Sequence, residues 1–457
     1  MIADDTIAAI STPPGRGGIG IVRVSGPEAV PIAAMLFRSE PARSFEVPSR
    51  AYPGFLVSSS GERLDQCVAI YFRSPSSYTG EDIVELCCHG SPVILGQVLE
   101  LLLKNGARLA EPGEFTLRAF FNHRMDLTQA QAVRDLIDAQ TLFQARVAMR
   151  QLEGSMAVSL APVKQLLIDA IVQIESSIEF VEDDILLETR MTLVRNMRAA
   201  LDPLAELERT FSIGKLVREG FDLAIIGRPN VGKSSVFNRL IGSDRAIVTE
   251  VPGTTRDTLH EQVSIRGVPV RLIDTAGIRE AADPVERIGI ERSRRAMADA
   301  DVSLLILDGS QPLTQDDLTL IERAPAESRL VLVNKCDLPF AADGLLPKEI
   351  VPEAVGISAL TGEGFDFLTQ ALFDRLGAQG QFSGQEGAIV TDARQHQALE
   401  KTLRLLSDAI QLVESGELEE IVLLRLRGAL SAIGELTGET LTEDILAQIF
   451  STFCIGK

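Results

Sequence analysis

The chain has no tryptophan, only three tyrosines, four histidines and five cysteines in 457 residues. Cys67, Cys87, Cys88, Cys336 and Cys454 are scattered and odd in number, which excludes a disulfide framework. Cys87, Cys88 and His89 form the one cluster, and no second Cys or His pair stands nearby in sequence to complete a zinc site. Reduced, structural thiols are the simpler reading. Basic charge is also short: 44 Lys and Arg against 64 Asp and Glu leave a formal charge of −20. A broad, non-specific nucleic-acid surface needs clustered cations, so only local basic patches remain open. No apolar run approaches the roughly 20 residues that span a bilayer. The start, "MIADDTIAAI", is acidic where a targeting peptide is basic. These absences predict a cytoplasmic protein with no membrane association.

What is present is the composition of ordinary folded protein, 45% hydrophobic and 24% charged, in a length that suggests about three domains. Residues 1–120 alternate short apolar runs such as "GIGIVRVSG" and "DIVELCC" with Gly, Pro and Ser turns. That pattern predicts an α+β domain with one helix, near "VILGQVLELLLKNG". From "LTQAQAVRDLIDAQ" the period becomes helical, with Thr128 and Gln131 spaced as a capping box. Val163, Leu167, Ile171, Ile174, Ile178 and Val181 fall on one face of a long helix. Past "REGFDLAIIGRPN" come four buried-strand runs, "FDLAIIG", "VRLIDTAG", "VSLLILDG" and "RLVLVNK", separated by helix-length segments, as in a parallel α/β sheet. Near residue 380 the pattern returns to helix, with Leu399, Leu403, Leu406, Ile410 and Val413 in register. The expected organisation is 1–120 α+β, 121–214 helical, 215–378 an inserted α/β domain, and 379–457 the second helical segment. Two independent helical bundles are the alternative.

"GRPNVGKSS" matches G-x-x-x-x-G-K-[ST] after a strand. Gly227, Asn230, Val231, Gly232, Lys233, Ser234 and Ser235 are therefore expected to turn backbone N–H groups around phosphate oxygens. Lys233 would reach the β- and γ-phosphates, and Ser234 would give its hydroxyl to Mg²⁺. Thr255 in "PGTTRDT" is a second Mg²⁺ ligand, and "DTAG" (Asp274, Thr275, Ala276, Gly277) is the γ-phosphate-sensing loop. In "NKCD" (Asn334, Lys335 and Asp337), a buried Asp337 can accept from both guanine N–H groups, a donor pair that adenine lacks. "SAL" (Ser358, Ala359, Leu360) follows at the spacing of a loop that closes over the base. Five elements in this order predict a GTP hydrolase. Ile278 stands where small signalling GTPases carry a water-orienting glutamine, so Arg256, Arg279 or a bound cation must supply charge. Asn230 could offer an oxygen to a monovalent ion; shaping the loop is an equal reading.

Across nearly its whole length the sequence resembles the bacterial and organellar tRNA modification GTPases that act on the wobble uridine, the MnmE/TrmE family. The motifs that carry the resemblance are "PPGRGGIGIVRVSG", "SYTGEDIVEL", "PGEFTLRAFFN", "GRPNVGKSS", "GTTRD", "DTAGIREAADPVERIGIER", "LTEDILAQIF" and "FCIGK". The resemblance implies an N-terminal α+β folate-binding-like domain, a discontinuous all-α domain and an inserted Ras-like P-loop GTPase domain. It implies a homodimer, GTPase domains that approach each other with GTP, Mg²⁺ and K⁺ bound, and an FAD-containing partner in a heterotetramer acting on tRNA. Carried over by motif, K⁺ would be held by Asn230, Thr249, Val251 and Thr254, within the nucleotide-contacting loop that also includes Glu250, Pro252, Gly253 and Thr255. Glu286 matches a glutamate that helps to orient water; a solvated helix face is its plainer reading.

A 5-formyl- or methylene-type tetrahydrofolate would meet Arg23, Glu85, Arg124 and Lys457. Arg124 replaces the family's usual Lys, and "CHGS" at 88–91 replaces "GHGG". Cys454 stands four residues from the end, like the cysteine of a prenylation signal, but Gly456, Lys457 and the lack of a preceding polybasic run argue against one. By the resemblance, "CIGK" docks at the folate pocket with Cys454 as a docked, reactive or structural thiol. The expected function is a K⁺-stimulated GTPase that, with its flavoprotein partner, installs a carboxymethylaminomethyl-type group at C5 of the wobble uridine. A ribosome-assembly or RNA-binding GTPase switch is the rival, opposed by the lack of a GXXG clamp in basic surroundings. A folate-binding scaffold whose GTPase only regulates assembly is a third reading.

Overall fold

The computed structural model describes residues 5–40, 45–179, 187–242, 261–273, 300–339, 354–377 and 387–456. The chain divides into two compact units, residues 1–134 with 434–457 and residues 135–433.

In the first unit, strands β1 (Ile7–Ile10), β2 (Gly17–Ser25), β3 (Phe37–Ser39), β4 (Ala51–Val57), β5 (Arg63–Phe72), β6 (Ile83–Gly90) and β7 (Arg108–Leu109) make one sheet in the order β3-β4-β5-β6-β2-β1-β7. Only the β1–β7 pairing is parallel. Side-chain alternation sorts the strands between two clusters. Ala8, Val22, Val24, Val84 and Leu86 pack with Ile32 and with Leu95, Val98 and Leu102, while Ile7 and Ala9 pack with Ala110 and Phe115.

One helix was expected in residues 1–120, and Pro92–Lys104 is that helix; Ala29–Leu36 and Glu114–Phe121 are two more. None of the three has a side-chain cap bond; Pro92–Lys104 is marked by its leading Pro and longer apolar period, whereas the other two span eight residues each, and Glu114–Phe121 begins after Gly113 at φ 68°. Tertiary contacts hold it instead. Arg118, 1% exposed, reaches the Asp5 carbonyl at 2.7 Å, Glu81 at 3.2 Å and Glu114 at 3.0 Å. The helix Leu127–Asp138 starts ahead of the Thr128 cap that the spacing with Gln131 suggested. Asp126 Oδ1 accepts from Gln129 N and Gln129 Oε1 accepts from Asp126 N, both at 2.9 Å, so the reciprocal cap belongs to that pair. Thr128 is buried and donates to Asp126 instead.

The terminal helix Glu443–Phe450 forms where expected, and Leu446, Phe450 and Phe453 are buried with Leu127 and Ala130. Each such side chain contributes about 1.5–3 kcal/mol of burial. That is what ties the C-terminal segment to this unit.

In the second unit, β8 (Phe221–Ile226), β9 (Glu261–Ile265), β10 (Val268–Ile273), β11 (Val302–Asp308), β12 (Arg329–Asn334) and β13 (Val355–Gly356) form a sheet in the order β13-β12-β11-β8-β10-β9. Every neighbouring pair is parallel except β9 with β10. The period of two again divides the core. Phe221, Leu223, Ile225, Leu304, Ile306, Leu330 and Leu332 join one cluster; Ala224, Ile226, Leu305, Leu307 and Val331 join the other. Both faces are covered, which explains the unbroken apolar runs in the sequence.

Val163, Leu167, Ile171 and Ile174 are buried along the helix Ser155–Glu179, as their spacing predicts; Val181 lies outside the described residues. The stretch Ser155–Ile178 is long and apolar enough to cross a membrane by length and composition, although no such run was expected. Lys164 and Asp169 break it in the sequence, which is why a search for continuous apolar residues passes over it.

A seam of polar contacts joins helical residues to the sheet within this unit. Thr141 Oγ1 donates to Gly267 O at 2.6 Å, and Gln144 Nε2 to Arg218 O at 3.2 Å. Gly267 turns the β9–β10 hairpin at φ 83°, and a Cβ there would lie 2.5 Å from Phe143 Cβ. Arg218 donates to Asp392 at 2.6 Å and lies 3.3 Å from Asp135. Burial works against the Asp392 carboxylate, but the Arg218 and Arg394 contacts outweigh it and lower its pKa. Asp135 goes the other way. Burial, then the neighbouring Asp392 and Asp138 charges, push it up to about 7, outweighing its longer contact with Arg218.

A carboxyl group whose pKa is raised on folding holds a proton that the unfolded chain has released, so its contribution to stability is lost as pH rises from its ordinary value through 7. Asn cannot ionise. The melting temperature of wild type relative to Asp135→Asn should therefore fall between pH 5 and pH 8; parallel pH profiles for the two proteins would contradict this assignment.

Candidate functional site

The order of the second sheet reverses at β8: the chain goes to β10 on one side and to β11 on the other. In an open parallel sheet, that is the point where a crevice opens at the carboxyl ends of the strands. The segment that leaves β8 there is "GRPNVG", and the helix Lys233–Gly242 follows immediately. Its first N–H groups and its positive dipole end face the loop. Gly227 leaves no room for a side chain, because a Cβ would lie 2.5 Å from Ile306 O. Gly232, at φ 99°, would put a Cβ 2.3 Å from Asn334 Nδ2. Asn230 is exposed and takes the left-handed conformation at φ 67° without being glycine.

Lys233 Nζ donates to the carbonyls of Gly227 and Arg228, each at 2.8 Å, across the loop. Burial disfavours its ammonium and lowers its pKa; a phosphate anion at the same place would act in the opposite sense. Arg228 is fixed from behind by Asp317, fully buried, at 2.8 Å.

The second loop leaves β12 at Asn334, which is 2% exposed. Its Nδ2 donates to Val231 O at 2.9 Å, and its Oδ1 accepts from Ala359 N at 3.0 Å. One carboxamide thus joins the phosphate loop to "SAL". Lys335, at φ 68°, donates to Asn230 O at 3.1 Å and to Asp308 Oδ2 at 2.5 Å. Ser358 Oγ donates to Asp337 Oδ1 at 2.6 Å and accepts from Thr361 N at 3.1 Å. Asp337 was expected to be buried; it is exposed, because it lies beyond the end of β12 on the loop itself. Ser358 nonetheless fixes the orientation of its carboxylate. Leu360 is 80% exposed.

Arg239 was not anticipated. Its guanidinium donates to the carbonyls of Ala359, Leu360 and Thr361 at 3.1, 2.9 and 2.7 Å, clamping "SAL" to the helix that begins at Lys233. Asp308 and Asp317 were also missed. Asp317 is locally legible as the N3 member of a capping box with Thr314, but its pairing with Arg228, like that of Asp308 with Lys335, joins residues far apart in sequence.

Thr249, Glu250, Val251, Pro252, Gly253, Thr254, Thr255, Arg256, Asp274, Thr275, Ala276, Gly277, Arg279, Glu286 and Lys457 lie outside the described residues. Ser234 and Ser235 open the helix after the loop. Of the expected Mg²⁺ and K⁺ ligands, the described members are Ser234 and Asn230.

In the first unit, Arg23 and Glu85 are cross-strand partners on β2 and β6. Arg23 Nε and Nη2 both donate to Glu85 Oε1, at 2.9 and 2.7 Å. The guanidinium lies 5.4 Å from the centre of the Tyr78 ring and 5.5 Å from that of Phe115. Arg124 is exposed, and its Cγ lies 3.3 Å from where a Cβ of Gly80 would be, so the 78–80 turn meets both arginines. The C-terminal tail runs to the same place. Cys454 O accepts from Gly113 N at 3.3 Å, and Gly456 O accepts from Arg23 Nη1 at 3.4 Å. A Cβ on Gly456 would lie 2.5 Å from Ile10 O, so this close approach needs glycine. Cys454 itself is exposed.

The hydrogen bond with Cys88, and then burial, raise the Cys67 thiol; burial raises the Cys87 thiol. Buried, hydrogen-bonded thiols fit a structural role.

Gly232→Ala tests the phosphate loop. The added methyl would meet Asn334 Nδ2 in a backbone region that costs a non-glycine residue about 1–3 kcal/mol. Titration with a fluorescent GDP analogue should show at least a tenfold rise in Kd, about 1.4 kcal/mol; wild-type affinity would contradict the loop geometry.

Two family models match the chain. One, described as GTP-binding protein TrmE N-terminus, covers residues 6–124, and the other, described as MnmE helical domain, covers residues 127–454. The chain is 48% identical to the tRNA modification GTPase MnmE of Koribacter versatilis, over the full length of both chains. It is 45% identical to the protein of the same name from Geobacter sulfurreducens, again over all of both chains. The Aquifex aeolicus relative is 44% identical, over 99% of this chain and 100% of the relative. By these family models and relatives, the chain belongs to the MnmE (TrmE) family of tRNA modification GTPases.

Proposed function

We propose that this protein hydrolyses GTP through the loops gathered at the carboxyl ends of β8, β12 and β13, and that hydrolysis drives modification of tRNA. The observation that carries this reading is the knitting of "GRPNVGKSS", "NKCD" and "SAL" into one hydrogen-bonded set by Asn334, Lys335 and Arg239. Phosphate and base can then be held at the same time. Full-length similarity to tRNA modification GTPases supports the second half of the proposal.

In the finer reading, Lys233 neutralises the β- and γ-phosphates and Ser234, with Thr255, holds Mg²⁺. Asn230, Thr249, Val251 and Thr254 hold K⁺. An exposed Asn230 whose own carbonyl is taken by Lys335 supports the role. The cations would supply positive charge to the transition state. Arg256, Arg279 and Glu286 complete the catalytic set, with Glu286 orienting water. Asp337 selects guanine with its carboxylate positioned by Ser358.

The first unit would take a one-carbon folate at Arg23, Glu85, Arg124 and Lys457. The approach of Gly456 to Arg23 supports this placement of the tail, with Cys454 beside it. The folate would supply a one-carbon group. A flavoprotein partner would complete the chemistry at C5 of the wobble uridine, in a cytoplasmic heterotetramer built on a homodimer of this chain. The division into 1–120, 121–214, 215–378 and 379–457 belongs to the same reading, with the GTPase segment moving as GTP turns over.

In a strain lacking this protein, the wild-type gene should restore modified wobble uridine, measured by mass spectrometry of digested tRNA, and Lys233→Ala should not. Full modification by the Lys233→Ala protein would sink the coupling. Purified wild type should hydrolyse GTP at least tenfold faster in KCl than in NaCl, and equal rates would remove K⁺ from the site.

A further inference from the structure

Asp308, the last residue of β11, is 4% exposed and belongs to none of the recognised nucleotide motifs. Three donors converge on it. Lys335 Nζ reaches Oδ2 at 2.5 Å; Ser310 N and Ser310 Oγ reach Oδ1 at 3.0 and 2.6 Å. A carboxylate this deeply buried is retained only when paired and hydrogen-bonded, and here both oxygens are used. The same ammonium also donates to Asn230 O at 3.1 Å in the phosphate loop. Lys335 starts two residues before Asp337 and ends between Asp308 and Asn230, so its aliphatic stem runs from the base-reading loop to the phosphate loop. Register fixes the arrangement. Asp308 lies opposite Asn334 in the β11–β12 ladder, and Gly309 N donates to Asn334 O at 2.8 Å.

We propose that Asp308 is a positioning residue for guanine-nucleotide binding, acting through Lys335 to hold the base loop and the Asn230 turn of the phosphate loop at a fixed separation. This rests on the guanine-nucleotide reading of the site. Asn230 and Lys335 sit at φ 67° and 68°, a region that asparagine tolerates and that lysine holds only where surrounding bonds enforce it. The Lys335 ammonium links the two turns, and Asp308 is its anionic anchor. Burial alone would raise the Asp308 carboxyl, but the Lys335 and Ser310 bonds outweigh it and hold it below the ordinary range. The anchor therefore stays charged across the neutral range.

The test is a double-mutant cycle on the full-length protein, with fluorescent GDP and ADP analogues as probes. Asp308→Asn should raise the GDP Kd about tenfold, which is about 1.4 kcal/mol. Lys335→Met should raise it by a similar factor. The double variant should be no worse than Lys335→Met alone, because Asp308 has nothing left to position. Losses that add in the double variant, or an Asp308→Asn protein with wild-type affinity, would overturn the inference while leaving the guanine site standing. A wild-type protein that binds ADP as well as GDP, or binds neither, would overturn both.

Discussion

The Asn334 carboxamide makes two hydrogen bonds that join separate loops of the site. One goes to the phosphate loop through Val231 O, and the other comes from the "SAL" segment through Ala359 N. Each loop alone is a backbone excursion held at one end. Buried and doubly bonded, the carboxamide converts three loops from different strands into one rigid cradle. Removing one partner of a buried pair leaves a desolvated polar group that costs about 1–3 kcal/mol, so the loops keep their separation as long as Asn334 is in place. Arg239 and the Asp308–Lys335 pair act around this tie rather than in its stead. Arg239 holds "SAL" to the helix Lys233–Gly242, and Lys335 braces the Asn230 turn. The sheet contributes what the loops cannot: β8, β11 and β12 are parallel, in adjacent register and buried on both faces, so their carboxyl ends form a stable edge.

The first unit achieves its own convergence by different means. Its charged centre is the Arg23–Glu85 pair across β2 and β6, and the chain terminus arrives beside it because Leu446, Phe450 and Phe453 are buried in the same unit. Apolar burial sets the position of the terminal helix, and glycine permits the last step. Gly456 lies against β1, where any side chain would collide with Ile10 O. The tail "CIGK" thus has a packing reason for its glycine and an exposed thiol two residues before it.

Much of this was legible in the sequence, for identifiable reasons. Parallel strands covered on both faces must be continuously apolar, so the runs at 221–226, 302–308 and 329–334 stand out by composition alone. A phosphate-wrapping loop needs glycines where side chains cannot fit, which is why Gly227 and Gly232 are readable from spacing alone. Two short helices in residues 1–120 were not legible. Ala29–Leu36 and Glu114–Phe121 are set by packing and, for the latter, by a buried arginine bound to residues far away. The same limit hid Arg239 and the pairings of Asp308 with Lys335 and of Asp317 with Arg228, which only the fold brings close. At 126–131 the error was smaller: two overlapping capping patterns were present, and Asp126 prevailed because its carboxylate also accepts the Thr128 hydroxyl. Asp337 was expected to be buried, but it lies past the end of β12, on a loop that the sheet's packing does not cover.

The most direct measurement is the nucleotide selectivity of full-length wild type and Asn334→Ala, compared by competition of GDP and ADP against a fluorescent guanine nucleotide. If one carboxamide makes the loops a single site, Asn334→Ala should lose both affinity for GDP and its preference over ADP, with far-UV circular dichroism unchanged. An Asn334→Ala protein that binds GDP with wild-type affinity and selectivity would contradict the account.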